Sequence, residues 1–288
     1  MIGIRSPRLR AWLAPGFLLA LVVVFLMAPW SFKDKLNAIP YGLDPQRPSH
    51  TDFFGGTHLP GEDWLREHVP GFGAFDPVTP AQLSLEARKV GMYVGFMAVW
   101  IYLICLGRGR AKGMPAWYFL LAFVIFIGIM GFDGFNAFFY DLKFIPHLYE
   151  PRLDLRLFTG LLCGYAFAGI LVPVLNFSLW QENDSRPIIE NWKQFVGGFI
   201  PLAIVYAVTA SGLGILLYPL SIIASASVLI LVALLNVVFL LSLFRKEYTA
   251  VTWRDALNPC AAGVMLAIVE LGVLSLARFA VLGNTPLP

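Results

Sequence analysis

Long apolar stretches dominate this chain, and they constrain its fold more than any other feature. A helix needs about 20 mainly apolar residues to cross the hydrocarbon core of a bilayer. Lipid offers the backbone no hydrogen-bond partners, so runs of this length span it as helices. We therefore predict an all-α, polytopic transmembrane helix bundle that forms a single domain over residues 1–288. Its seven predicted spans cover residues 11–31, 90–107, 116–140, 155–180, 194–217, 220–244 and 257–282.

The composition agrees with a membrane-embedded chain. Hydrophobic residues make up 58% of the sequence and charged residues only 14%, whereas a soluble domain is about a quarter charged. The net charge of +3 is too small and too dispersed to indicate nucleic-acid binding. The three cysteines form no CxxC pair and are typical of buried apolar thiols. They are Cys105, Cys163 and Cys260.

The distribution of basic residues predicts the orientation of the spans. Arginine and lysine are dense in the short segments 1–10, 108–115, 181–193 and 245–256. Cytoplasmic segments carry such an excess. We therefore expect a cytoplasmic N-terminus, an uncleaved first span and an extracytoplasmic C-terminus.

The longest polar segment, residues 32–89, separates the first two predicted spans. It is rich in proline and glycine, and it carries aromatic residues that a free linker does not need. We predict an extracytoplasmic cap over the bundle or over a partner protein, with a short helix at 62–68.

Small residues recur at four-residue spacing on two predicted spans. Gly91 and Gly95 form a GxxxG pattern on the second span, and Gly160 and Gly164 form another on the fourth. Such faces let helix backbones approach closely. Packing within the bundle is the favoured interpretation, and dimerisation is the alternative.

An acidic residue, Asp133, lies within the third predicted span. A charge at that depth is costly, so it is expected to face the protein interior with a partner. Arg156 begins the fourth span at a similar depth, and Thr159 lies one turn further in. We predict that Asp133 pairs with Arg156, either as a structural cross-link or as a site for a ligand headgroup or a proton.

A second acid, Glu270, lies near the centre of the seventh predicted span. No basic residue stands at its level, and Asn236 on the sixth span is a possible neighbour. By the same argument its side chain is expected to face the protein interior. Structural hydrogen bonding and a role with a proton, a lipid or a quinone are both open.

Recognised catalytic and cofactor motifs are missing from the sequence. All four histidines lie in predicted loops, so no span offers an axial histidine for a haem or chlorophyll metal. We therefore expect no cofactor bound through transmembrane histidine, whereas lipid or quinone contact is possible. There is also no HExxH, G-x-S-x-G, Walker or GxGxxG motif.

Two stretches resemble an uncharacterised family of bacterial and archaeal predicted membrane proteins, a domain of unknown function. Residues 86–95, EARKVGMYVG, are similar to its segment Cys-Ala-Arg-Cys-x-Gly-x-Tyr, which enters a helix. Asp133-Gly134, followed by RLFTGLLCG at 156–164, is similar to its Asp-Gly and Arg-x-x-Thr-Gly-x-x-x-Gly segments. The resemblance covers about residues 82–170 and implies a multi-pass protein of a bacterial or archaeal cytoplasmic membrane.

This chain departs from the family pattern at two cysteines. Glu86 and Lys89 stand in their places, and the family's Cys-His-Gln-x-Pro segment is missing. Thiol or soft-metal chemistry at those positions is therefore not available to this chain. The resemblance implies a helix-packing framework from which that chemistry has been lost.

These observations favour a non-catalytic integral membrane subunit of a larger assembly. We expect it to contact membrane lipids or quinone and other membrane subunits, as in electron-transfer or photosynthetic complexes. The alternative is a membrane-embedded enzyme or carrier for a lipophilic substrate, using Asp133, Arg156 and Glu270. A secondary transporter is less favoured because the sequence shows no inverted repeat.

Overall fold

The computed structural model describes residues 7–27, 35, 38–44, 83–142, 146–181 and 184–282. Over these residues the chain is mostly helical, and six helical segments are long and apolar enough to cross a membrane. The predicted all-α polytopic bundle is therefore confirmed. Most of the predicted cap, including the short helix at 62–68, lies outside the described residues.

The helices follow the predicted spans closely, within a few residues at most ends. The first span is a helix whose apolar part, Pro15–Met27, is shorter than the other six. In chain order the elements are α1 (Pro7–Met27), α2 (Ala87–Cys105), β1 (Ala111–Gly113), α3 (Trp117–Leu142), α4 (Leu153–Leu179), β2 (Asp184–Pro187), α5 (Trp192–Gly197), α6 (Phe199–Ala210), a 3-10 turn (Gly214–Leu216), α7 (Leu217–Leu243) and α8 (Trp253–Leu282).

The fifth predicted span is not one continuous helix. It is interrupted at Gly198, between α5 and α6. The hydroxyl of Tyr102 donates to the carbonyl of Gln194 at 3.0 Å, and that of Tyr165 donates to the carbonyl of Phe195 at 2.7 Å. The Gln194 carbonyl also accepts from the backbone N–H of Gly198 at 3.1 Å, so the Tyr102 hydroxyl is a second donor to a carbonyl that is already paired. The two hydroxyls attach α5 to α2 and α4.

A second break separates α6 from α7. Gly212 there adopts a φ of 61°, a left-handed conformation that glycine tolerates without strain. This break falls at the sequence Ser211-Gly212-Leu213, directly before the 3-10 turn. Pro173, by contrast, lies inside α4, which continues through it.

Helix α4 forms the centre of the bundle and is its most buried span. Its glycines lie directly against α2: a Cβ atom added at Gly160 would come closer than 3.0 Å to the carbonyl oxygen of Arg88. Gly164 meets the carbonyl of Met92 in the same way, and Gly91 meets that of Leu157. A Cβ at Gly95 would lie 3.2 Å from the Leu161 side chain. The two GxxxG faces therefore pack against each other within one chain.

Short segments close one end of the bundle. Strands β1 and β2 pair in parallel, with Ala111 opposite Asp184, and Trp180 forms a bridge with Ala250. The guanidinium of Arg110 lies 4.0 Å from the centre of the Trp180 ring. This small sheet was not predicted. Together with the Trp180–Ala250 bridge, it brings together the segments 108–115, 181–193 and 245–256, which were predicted to be cytoplasmic. The side of the membrane that they face stays a prediction.

Candidate functional site

Charged side chains gather at the opposite end of the bundle, where α2 begins, α3 ends and α4 begins. We call this set the polar end: Asp44, Glu86, Arg88, Lys89, Asp133, Tyr149, Arg156 and Thr159. The loop between α3 and α4 makes those two helices antiparallel neighbours. The close approach of Gly160 to Arg88 then brings the start of α2 to the same level.

Asp133 contacts three other members of the polar end. Its side chain is only 2% exposed. Arg88 donates to Oδ2 from Nη2 at 2.6 Å and from Nε at 3.2 Å, and the hydroxyl of Tyr149 donates to Oδ1 at 2.7 Å. The Thr159 hydroxyl lies 3.4 Å from Oδ2. A buried carboxylate is tolerated when its lone pairs are satisfied in this way.

The predicted pairing of Asp133 with Arg156 is wrong. The structure pairs Asp133 with Arg88, and Arg156 donates instead to Oε1 of Glu86 at 2.9 Å. The prediction considered only the helices joined by a short loop. Helix α2 was left out of that prediction. Glycines line its contact with α4, so α2 lies close enough for Glu86 to reach Arg156 and for Arg88 to reach Asp133. The two acids and two arginines therefore form crossed pairs between α2 and its neighbours.

A short segment before α2, residues 38–44, extends the network, and we call it the strap. The Asp44 carboxylate accepts from the backbone N–H of Glu86 at 2.7 Å and lies 3.5 Å from Nζ of Lys89. Lys89 also donates to the carbonyl of Leu43 at 2.6 Å. The strap thus lies against the first turn of α2 and neutralises the cation there.

The strap also contacts α8. The backbone N–H of Gly42 donates to the Ser275 hydroxyl at 3.1 Å. Arg278 donates to the carbonyls of Tyr41 and Asp44, and its guanidinium lies 4.3 Å from the centre of the Tyr41 ring. These contacts connect the end of α8 to the start of α2, a link that sequence reasoning missed.

Tyr149 is held in place by the loop that follows α3. The Asn136 side chain donates to the Tyr149 carbonyl at 2.9 Å and accepts from the backbone N–H of Leu148 at 2.8 Å. Burial raises the pKa of the Tyr149 phenol to about 12, and its hydrogen bond to Asp133 acts in the same direction. The phenol is therefore a stable donor to Asp133 at neutral pH.

Glu270 does not belong to the polar end, and its predicted inward orientation is wrong. The residue lies on the exposed side of α8. Its Oε2 accepts from Nδ2 of the buried Asn236 at 2.7 Å, so the neighbour considered from the sequence does contact it. The prediction used depth alone, which does not determine the direction in which a side chain points.

The chemistry of the polar end is that of hydrogen-bonded ion pairs. Each of its carboxylates and cations contacts a partner on another segment of the chain. The ion pairs of the polar end therefore stabilise the packing of these segments against one another. Within the described residues, no group of three histidine, cysteine or acidic side chains is placed to hold a metal ion.

The six long apolar helices and the buried ion pairs at one end define a multi-pass integral membrane protein. Residues 78–170 match a family described as a predicted membrane protein, DUF2085. The resemblance found in the sequence is thus confirmed over α2, α3 and the first part of α4, which hold most of the polar end. No curated protein and no solved structure matches the chain.

Two family cysteine positions are occupied by members of the polar end. Glu86 accepts from Arg156, and Lys89 contacts Asp44 and Leu43. Both side chains therefore make contacts between segments, where the family pattern has thiols. One acid and two cations directly before the second predicted span, Glu86, Arg88 and Lys89, were the sequence signal for this cluster. The motif comparison interpreted Glu86 and Lys89 only as the loss of two cysteines.

Proposed function

We propose that the protein is a non-catalytic integral membrane subunit of a larger membrane assembly. The observation that supports this most is the pairing within the polar end. Asp133 with Arg88, Glu86 with Arg156 and Asp44 with Lys89 join α2, α3, α4 and the strap.

This pairing favours a structural role over a catalytic one. A general acid, base or nucleophile needs a reactive group that can reach a substrate. At the polar end the buried carboxylates already accept bonds from donors of the same chain, and Arg156 is only 3% exposed. Breaking such a pair to bind a substrate would leave an uncompensated buried charge, which costs about 3–5 kcal/mol.

The outer walls of the bundle supply the contact surface that a subunit needs. Helix α3 directs large aromatic side chains outward along its second half, where Phe132, Phe135 and Phe138 are all more than half exposed. Helix α8 exposes aliphatic side chains in the same manner. Such surfaces fit lipid, quinone or neighbouring helices, in keeping with packing-driven association in membranes.

The test is the size of the native particle. The full chain, carrying a small affinity tag at its own chromosomal locus, is extracted in a mild detergent and run on a native gel. We expect a band well above the 31.9 kDa of the monomer that contains other integral membrane proteins in constant ratio. A lone monomer across several mild detergents and digitonin would contradict the proposal.

A further inference from the structure

Glu270 lies far from both ends of the membrane-spanning part of α8. It is eight residues before Arg278, whose side chain contacts the strap at the polar end. At about 1.5 Å per residue, that spacing places Glu270 roughly 12 Å deeper than Arg278 along the helix. The hydrocarbon core is about 30 Å thick, so Glu270 is near its middle.

Only one of the two carboxylate oxygens of Glu270 accepts a hydrogen bond from the described part of the chain. Oε2 accepts from Asn236, which is 7% exposed and lies on the neighbouring helix α7. Among the described residues, no donor reaches Oε1 of Glu270. Charged groups at bilayer depth almost always have a partner in the protein or in a water-filled cavity. A cationic donor on the outer side of α8 would supply the partner that a charged carboxylate needs at this depth.

The surface around Glu270 has the pattern of a helix-packing seam. Val269, Val273, Leu276 and Ala280 follow one another at spacings of four, three and four residues, and all four are exposed. Val269 and Val273 are each 59% exposed, and Leu276 is 70% exposed. Apolar residues at this spacing receive the side chains of a second helix. Glu270 flanks the seam.

Among the residues that the structure describes, a second copy of this chain offers no suitable donor near this depth. A partner for a charged carboxylate here is a cation, or another strong donor, within a span. The span cations near the polar end are engaged: Arg88 with Asp133, Arg156 with Glu86, and Lys89 with Asp44. Arg278 contacts the strap. A symmetric pair of chains would instead bring two Glu270 carboxylates together.

We propose that the exposed side of α8 is the docking site for a transmembrane helix of a different protein. That helix carries a lysine or arginine at mid-bilayer depth, which donates to Glu270. This inference rests on the proposed function and names the surface and the chemistry of one partner. The Asn236 bond orients the carboxylate, and the aliphatic seam on α8, which begins beside Glu270 and continues toward Ala280, supplies the packing area.

The experiment places a benzophenone-bearing amino acid at position 273 of the full chain in its native membranes. A matched probe at position 124 tests the opposite case, because Val124 is an equally exposed aliphatic residue, 62% exposed, on the distant helix α3. After irradiation, adducts are digested and sequenced. We expect an adduct from position 273 with an apolar segment of another protein that contains lysine or arginine, and none with that segment from position 124.

The charge requirement is tested in the same membranes. Glu270→Gln keeps the size of the side chain but removes its charge, so the yield of the adduct is expected to fall at least about tenfold. Glu270→Asp keeps the charge and is expected to retain most of the yield. Because residue 270 lies on the outside of α8, both variants are expected to fold, which a thermal-shift measurement checks.

The outcomes separate this inference from the proposed function. An intact assembly that cross-links from position 124 but not from 273 overturns the docking site and leaves the assembly standing. The docking site is also overturned by an adduct with lipid, with quinone or with a second copy of this chain, or by a partner segment without a cation. Equal yields for Glu270→Gln and the unaltered chain overturn it as well. A lone monomer on the native gel overturns both.

Discussion

Replacing Asp133 with asparagine is expected to lower the free energy of unfolding by about 3 kcal/mol. The substitution keeps the shape of the side chain but removes the charge that neutralises Arg88. An uncompensated buried charge costs about 3–5 kcal/mol, and Arg88 is 17% exposed, so the lower end applies. Reversible unfolding of the purified chain in detergent, followed by circular dichroism, measures the change.

Asp184→Asn is the matched control for that prediction. Asp184 also pairs with an arginine, Arg186, but that pair lies in the short sheet and the arginine is 59% exposed. Exposed ion pairs contribute little to stability, so we expect almost no change. Equal effects at the two positions would contradict the structural role. A stable Asp133→Asn protein that assembles normally but loses a transport or enzymatic activity would favour the carrier alternative.

Replacing Gly160 with alanine is expected to cost close to 3 kcal/mol. A Cβ at this position would come closer than 3.0 Å to the backbone carbonyl of Arg88, and a backbone cannot move aside as a flexible side chain can. Overpacking typically costs about 1–3 kcal/mol. Here the displacement also shifts Arg88 away from Asp133. Unfolding in detergent measures the loss.

Gly128→Ala on α3 is the control for the glycine prediction. A Cβ there meets nothing within 4 Å. Alanine also favours helix over glycine by up to about 1 kcal/mol, so this variant is expected to be unchanged or slightly more stable. If Gly160→Ala matched Gly128→Ala, the close contact between α2 and α4 would be wrong.

The helices were largely predictable from the sequence, because a long apolar segment is stable in lipid only as a membrane-spanning helix. Predicted and observed helix bounds agree closely for α2, α3 and α4. The break at Gly198 was not predicted, although Pro201 has no backbone N–H to donate to the Gly197 carbonyl and is a sequence signal for an irregular turn. The sheet between β1 and β2 was not predicted because it depends on segments about 70 residues apart.

The polar end was predictable only in part. Asp133, Arg156 and Thr159 do lie together, because a short loop joins their helices. Arg88 was missed as the partner of Asp133, since the sequence gives no distance between α2 and α3. The orientation of Glu270 failed for a related reason. Helix α8 is apolar around most of its circumference, so its sequence does not indicate which side faces the bundle.

A double-mutant cycle at the polar end tests the central claim most directly, namely that specific buried ion pairs join α2 to its neighbours. Unfolding free energies are measured for Asp133→Asn, Arg88→Gln, Arg156→Gln and the two combinations that include Asp133→Asn. Contacting residues in one network couple by about 0.5–3 kcal/mol. We predict a coupling of about 2 kcal/mol between Asp133 and Arg88, and one smaller by at least about 1 kcal/mol between Asp133 and Arg156. Equal couplings, or a larger one with Arg156, would contradict the account.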